Sequence, residues 1–152
     1  MKTQDMHEKK QAWQPNRQEI ADWLNTIPLG TLSTLGPEGQ PQSATVAFSE
    51  TADLRLVIGT SEVSRKAVNI GRDPRVAYTV TDADKRYTFQ LEGTARKLTD
   101  EEMDEFADRH FAKLPFSAPF RNVEGQCYFL ITPTWSRFSD CNPYPWVTTI
   151  FE

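Results

Sequence analysis

A hairpin signal near the start of the chain constrains the fold more than any other feature. The run Gly36-Pro37-Glu38-Gly39 is rich in turn-forming residues and separates two extended segments, Thr31–Leu35 and Gln42–Phe48. In the second segment apolar residues alternate with more polar ones, which is the period of a strand with two different faces. The sequence therefore predicts a β-hairpin at this point.

Further extended segments follow the hairpin. They span residues 54–59, 75–80, 87–98 and 127–140. The segments at 75–80 and 87–98 form a second predicted hairpin, and Gly93 inside the longer one predicts a bulge or a bend. Pro133 is expected to interrupt the last segment, and the pattern predicts no strand after residue 140.

Three helices are predicted between and around these strands. Asn16 with Glu19, and Thr99 with Glu102, have the spacing of a capping box before an apolar helical pattern. Ser64 is the predicted N-cap of a short helix that ends near a glycine. The expected class is mainly β, with a few flanking helices.

The composition fits one domain. The chain has 152 residues, of which 38% are hydrophobic, so we expect a single domain over residues 16–152 after a flexible N-terminal arm at 1–15. The net charge of −4 argues against a general nucleic-acid or anionic-membrane binder. With no apolar run of membrane-spanning length and no secretion signal at the start, we expect a cytoplasmic protein. Two cysteines and two histidines show no metal-ligand spacing, so no metal site is predicted.

The residues with the clearest chemical meaning lie around the predicted second helix. Thr60 ends a strand, and Ser64, Arg65 and Lys66 begin the helix. A helix start carries free N–H groups and partial positive charge, and two neighbouring cations add charge-assisted donors for phosphate oxygens. The pattern indicates an anion site, although two solvated side chains would have the same sequence.

Several motifs in a fixed order resemble the pyridoxamine 5′-phosphate oxidase-like FMN-binding split-barrel superfamily. The resemblance covers residues 27–140, and the small general-stress-type flavoproteins look closest, because of the chain length and Pro133-Thr134-Trp135. The motifs are Gly30-Thr31-Leu32-Ser33-Thr34, Gly39-Gln40-Pro41, Ser64-Arg65-Lys66-Ala67, Asp73-Pro74-Arg75-Val76-Ala77 and Gln90-Leu91-Glu92-Gly93-Thr94-Ala95.

The resemblance implies a six-stranded split β-barrel that binds FMN at the interface of a homodimer. It assigns the FMN phosphate to Arg65 and Lys66, next to Ser64, with a hydroxyl from Thr60. Further cofactor contacts carried over from the family fall on the second strand, on the long strand and on one tryptophan; these are Thr45, Val46, Ala47, Thr88, Gln90 and Trp135. Thr88 and Gln90 are alternatives for one glutamine of the family. Ala44 stands where pyridoxamine phosphate oxidases carry an arginine.

Other departures bear on the reaction. Ser139 occupies the position of a family tryptophan, and no Arg-x-His stretch follows it, which argues against vitamin B6 oxidation. No nucleophile–base or paired-carboxylate pattern is present, so the catalytic residues stay unassigned and a cofactor would carry the chemistry. We expect an FMN-dependent oxidoreductase that uses NADH, NADPH or another substrate. The alternatives are a non-catalytic flavin-binding or stress-related carrier, or a relative that binds a deazaflavin or haem.

Overall fold

The computed structural model describes residues 11–152, in which antiparallel strands dominate. The strands are β1 (Leu29–Leu35), β2 (Pro41–Glu50), β3 (Leu56–Ser61), β4 (Arg75–Asp82), β5 (Tyr87–Lys97), β6 (Gln126–Asp140) and β7 (Val147–Phe151). The helices are α1 (Arg17–Leu24), α2 (Arg65–Arg72) and α3 (Asp100–Lys113), followed by a 3₁₀ turn at Pro115–Phe120. None of the helices within residues 11–152 combines the length and apolar character that a membrane crossing requires.

The strands close into a six-stranded barrel. Their order is β3-β2-β1-β4-β5-β6, and β6 pairs back onto β3. The predicted mainly β split barrel is therefore confirmed. β7 is an additional strand, which pairs with the end of β6 from Ser136 to Asp140. Its five residues are β-branched or aromatic, a composition typical of strands, so the expectation of no strand after residue 140 is wrong.

The longest strand, β6, is continuous across the proline that was expected to break it. β5 pairs Glu92 with Trp135 and Gly93 with Pro133, so Thr134 is the extra residue of a bulge. A bulge has room for a proline because one ladder N–H is not needed there. A Cβ atom at position 93 would overlap the Thr132 carbonyl oxygen, which explains why this residue is a glycine. The bulge predicted at Gly93 is confirmed.

The barrel interior is filled by alternate residues of the strands. The largest fully buried side chains on the strands are Leu32, Phe48, Leu56, Ile58, Tyr78, Phe89, Leu91 and Phe138.

The segment before α1 contacts the barrel through Trp13. This side chain packs against Tyr87 and Phe138 with ring centroids 5.1 Å apart, and the Trp13 backbone N–H donates to Asp140 Oδ2 at 2.9 Å. Residues 1–10 of the predicted arm lie outside the described residues, whereas Trp13 in its last part is held against the barrel.

Helix α3 is fixed to the end of β2 by a buried ion pair. Lys113 Nζ lies 2.7 Å from Glu50 Oε2, and these side chains are 2% and 0% exposed. The half-exposed Arg109 adds a second cation at 3.3 Å from Glu50 Oε1. One turn earlier, His110 Nδ1 is 2.7 Å from Ser49 Oγ, and burial lowers the pKa of this histidine to about 4. The neutral imidazole is therefore part of the packing rather than a cationic partner of the helix end.

Candidate anion-binding site

Helix α2 begins immediately after the turn that follows β3, and Ser64 caps it. The Ser64 backbone is extended, with φ −66° and ψ 152°, and its hydroxyl accepts a bond from the Ala67 N–H at 3.3 Å. This is the N-cap arrangement that the sequence predicted. One face of the helix, with Ala67, Asn69 and Ile70, is buried against the barrel. The first turn of α2 is therefore rigidly placed at one end of the barrel.

A short chain of hydroxyl groups supports Lys66 at this helix start. Lys66 Nζ donates to Thr60 Oγ1 at 3.4 Å, and Thr60 Oγ1 donates to Ser64 Oγ at 3.1 Å. A hydroxyl has one proton to donate, so the Thr60 proton is already used within the protein. The Ser64 oxygen accepts from Thr60 and from Ala67, which leaves its own proton for another acceptor. Ser64 is thus the hydroxyl donor of this site, and Thr60 supports it.

Arg65 contacts the barrel through a neutral group. Its Nε donates to Gln42 Oε1 at 3.1 Å, and Gln42 also accepts from Asn69 Nδ2 at 2.9 Å. In the part of the chain that the structure describes, neither Arg65 nor Lys66 forms an ion pair with a carboxylate. The positive charge of both side chains is therefore left uncompensated within residues 11–152.

A small cavity of about 220 Å³ lies directly beside these cations. It is lined by Leu32, Thr34, Gln42, Ser43, Ala44, Arg65 and Lys66. The lining combines two cations and several neutral donors with an apolar floor, and it includes no carboxylate. Together with the N–H groups at the start of α2, this arrangement can bind a phosphate group. The sequence-predicted pair Arg65 and Lys66 is thus brought together at one cavity, and Ser64 immediately precedes them as the helix cap.

The middle of β2 continues from this cavity. Val46 points into the barrel, and its carbonyl oxygen accepts a bond from the buried Tyr78 hydroxyl, whose pKa is raised by burial. Thr45 is exposed and Ala47 half-buried on the opposite, outer face of the strand. Within the described residues, β3 pairs with β2 only from Phe48 to Glu50, so no strand lies beside the backbone of Thr45 and Ala47 on that edge.

The remaining predicted contacts lie elsewhere on the outer face of the barrel. Strand register places Thr45, Thr31, Thr79, Gln90 and Arg137 in one row across β2, β1, β4, β5 and β6. Strands lie about 4.8 Å apart, so Gln90 is roughly 14 Å from Thr45. Within one chain, Gln90 on β5 is therefore three strands away from Thr45 in the middle of β2.

Gln90 belongs to a second polar group on this outer face. Its Oε1 accepts from Arg137 at 2.8 Å, and the Arg137 guanidinium lies 5.6 Å from the centre of the Trp135 ring. Thr88 lies on the same outer face as Gln90, two residues away along β5, as predicted. Arg137 thus joins Gln90 and Trp135 on the outer face, and none of Thr88, Gln90 and Trp135 lines the cavity beside Arg65 and Lys66 within one chain.

Two residues that organise this site had no role in the sequence-based prediction: Gln42 in the cavity lining and Asn69, which donates a hydrogen bond to Gln42. The sequence does single out Gln42, because it is the polar residue on the inward face of β2, which it shares with Ala44, Val46 and Phe48. Asn69 lies on the buried face of α2 and is only 3% exposed. A buried amide requires partners, and these are visible only once the helix is packed against the barrel.

Comparison with known proteins places this architecture in a family. A family model described as pyridoxamine 5′-phosphate oxidase matches residues 17–138. The chain is also similar to a pyridoxine/pyridoxamine 5′-phosphate oxidase of Bacteroides thetaiotaomicron, with 29% identity over 87 residues. That alignment covers 57% of this chain and 39% of the relative, so it spans well under half of the relative's length.

Solved structures with low sequence identity share the fold. A heme binding protein from Mycobacterium smegmatis has a TM-score of 0.75 at 18% identity, covering 91% of this chain and 59% of its own. A pyridoxamine 5′-phosphate oxidase-related, FMN binding protein from Nostoc punctiforme has a TM-score of 0.65 at 18% identity, covering 93% and 99%.

Two further neighbours bear on the resemblance seen in the sequence. A protein from Clostridium acetobutylicum related to general stress protein 26 has a TM-score of 0.69 at 13% identity, covering 90% of this chain and 93% of its own. An F420 reductase has a TM-score of 0.63 at 22% identity, covering 76% and 94%. The resemblance to this superfamily, including general-stress-type members, is confirmed.

Proposed function

The chain belongs to the pyridoxamine 5′-phosphate oxidase family, and on that premise we propose that it binds FMN and serves as an FMN-dependent oxidoreductase. The observation that carries the proposal is the cavity beside Arg65 and Lys66, where two cations have no acidic partner among residues 11–152. A phosphate ester supplies the negative charge that this site lacks. Family membership and the FMN binding neighbour favour FMN among phosphate esters.

The residues present fit the two ends of such a cofactor. Arg65, Lys66 and the Ser64 hydroxyl would hold the phosphate through charge-assisted hydrogen bonds, each worth about 1.5–3 kcal/mol. The outer edge of β2 at Thr45 and Ala47 would lie along the isoalloxazine ring. When bound, FMN would supply hydride or electron transfer to a substrate, with NADH or NADPH as a candidate donor.

The proposal includes a homodimer with the flavin at its interface. Its support is the separation within one chain of Gln90 and Trp135 from the cavity at Arg65 and Lys66. In a symmetric dimer the outer face of one subunit can complete the site of the other. Gel filtration of the FMN-loaded protein should give the mass of a dimer, and a monomer that retains FMN would contradict the shared site.

Other cofactors of this fold are weaker candidates. A deazaflavin carries a similar ring and a phosphate, so the same cavity would bind its phosphate. The F420 reductase neighbour supports this alternative. Haem binding commonly uses a histidine ligand. His110, the one histidine among residues 11–152, is 2% exposed and bonded to Ser49, so it is not free to bind iron without repacking α3.

The test is a comparison of FMN with riboflavin, which lacks the phosphate. We expect the protein to bind FMN more tightly, and the double substitution Arg65→Ala/Lys66→Ala to weaken FMN binding about 100-fold or more while changing riboflavin binding little. Quenching of flavin fluorescence measures both affinities.

A matched control removes two neighbouring cations elsewhere. Lys85→Ala/Arg86→Asn lies in the exposed turn between β4 and β5, and asparagine tolerates the positive φ of 60° at residue 86. This control should retain the affinity for FMN. Unchanged FMN affinity in a folded Arg65→Ala/Lys66→Ala protein would reject the proposed site.

Turnover is tested separately from binding. Mixing the FMN-loaded protein with NADH or NADPH should bleach the yellow absorbance of the oxidised flavin if the protein is an oxidoreductase. A spectrum that persists with both donors would instead support a flavin-binding carrier.

A further inference from the structure

The amide of Gln42 is held in one orientation by two donors. Arg65 Nε approaches its Oε1 at 3.1 Å and Asn69 Nδ2 approaches the same oxygen at 2.9 Å. Both approaching groups can only donate, so the atom that they meet must be the amide oxygen. The Nε2 group of Gln42 is therefore left without these partners, on a side chain that lines the cavity beside Arg65 and Lys66.

The orientation of Asn69 is fixed in the same way. Its Oδ1 accepts from Arg72 at 3.2 and 3.3 Å, and its Nδ2 donates to Thr34 Oγ1 at 3.0 Å as well as to Gln42. Asn69 is 3% exposed, so it cannot exchange these partners for water. A continuous set of hydrogen bonds thus runs from Arg72 through Asn69 and Gln42 to Arg65.

This set of bonds decides which atoms of Arg65 face outwards. The guanidinium has five N–H donors, and Gln42 occupies the one on Nε. The terminal nitrogens remain available to bind an anion. Because the acceptor is a neutral amide rather than a carboxylate, it fixes the geometry of Arg65 without cancelling its charge.

We propose that Gln42 is a further anion-binding residue of this site, contributing its own amide N–H and positioning Arg65 through its oxygen. The inference rests on the proposed function, because it takes the bound anion to be the phosphate of a flavin. Asn69 acts one step further back, as a positioning residue for Gln42.

The experiment substitutes Gln42→Leu, which keeps the approximate size of the side chain and removes both functions of the amide. Gln42 lies at the rim of the barrel and is half-buried, so the variant should fold. The matched control is Gln18→Leu, an exposed glutamine on α1. Affinities for FMN and for riboflavin are measured for both variants, for Arg65→Ala and for the combination of Gln42→Leu with Arg65→Ala.

We expect Gln42→Leu to weaken FMN binding about tenfold, with riboflavin binding unchanged. We also expect Arg65→Ala to cost less affinity in the Gln42→Leu background than in the wild type, because a mobile Arg65 has already lost part of its contact. A purely structural role would move the affinities for both flavins together and would leave the two substitutions additive.

The results separate this inference from the proposed function. A wild-type protein that binds riboflavin as tightly as FMN would overturn the phosphate site itself, before any variant is made. Phosphate-dependent binding in the wild type, lost in Arg65→Ala but unaffected by Gln42→Leu, would overturn only the role of Gln42.

Discussion

The two ends of β2 contact helix cations through polar side chains of similar size but different charge. At one end Gln42 meets Arg65 of α2, and at the other end Glu50 meets Lys113 and Arg109 of α3. The eight residue steps from Gln42 to Glu50 along the extended strand span about 26 Å. Both ends place cations of a helix against one polar side chain of the same strand, yet only one of them has a built-in negative charge.

Comparison of the two ends shows how a cation becomes available to a ligand. The Glu50 carboxylate is fully buried and neutralises Lys113, so that cation is part of the packing. Gln42 supplies an acceptor of similar length without charge, so Arg65 is held in place and keeps its positive charge. An anion can bind at the Gln42 end because the protein itself has left that charge unpaired.

The largest effect is expected at the Glu50 end. Glu50→Ala would leave Lys113 buried without its carboxylate, which should destabilise the protein by about 3–5 kcal/mol and lower its melting temperature by about 10 °C. FMN affinity of the remaining folded protein should be unchanged, because Glu50 does not line the phosphate cavity and its side chain is buried against α3. Thermal unfolding and FMN titration measure the two quantities. Glu105→Ala, on the exposed face of α3, is the control and should change neither.

The next effect concerns acid stability at the same end. Burial lowers the pKa of His110 to about 4, below its ordinary value of 6.5, so folding favours the neutral ring. The contribution of His110 is therefore complete above pH 6.5 and is lost as the pH falls from 6.5 towards 4, up to about 3 kcal/mol. Urea unfolding of the wild type and of His110→Gln across this range should show the loss in the wild type alone. Equal pH dependence in both proteins would contradict the assignment.

The smallest effect is expected for Gln42→Glu, which gives this end of β2 a carboxylate like that of Glu50. Gln42→Glu keeps an oxygen for Arg65 and Asn69 but adds a negative charge at the cavity. FMN affinity should fall by about tenfold or more, riboflavin affinity should stay constant, and stability should change by less than about 1 kcal/mol. Fluorescence titration and thermal unfolding test this, with Gln18→Glu on α1 as the control. Retained FMN affinity would show that the neutrality of Gln42 is unimportant.

Much of the fold could be predicted because local patterns agreed with it. The capping boxes at Asn16 and Thr99 and the Ser64 cap start helices where expected. The continuity of β6 through Pro133 could not be predicted in this way, because it depends on pairing with Gly93, 40 residues earlier in the chain. The β7 strand was missed although Val147–Phe151 consists of β-branched and aromatic residues, because it follows a proline-rich stretch.

The candidate site shows the same division. Arg65 and Lys66 were identified from their position at a helix start, since the charge and the free N–H groups are local properties. Gln42 stands out in the sequence as the polar residue on the inward face of β2, but its role and that of Asn69 come from contacts 23 to 35 residues apart along the chain.

Local signals in the sequence were enough to predict most strand and helix segments and the pair of cations at the start of α2, because alternation, capping and charge act over a few neighbouring residues. The barrel itself was implied by the resemblance of the motifs to a known family. Which cations are neutralised depends on the tertiary structure. Closing the barrel brings Lys113 onto a buried carboxylate and Arg65 onto a neutral amide, and that choice of partner depends on packing between elements remote in the chain.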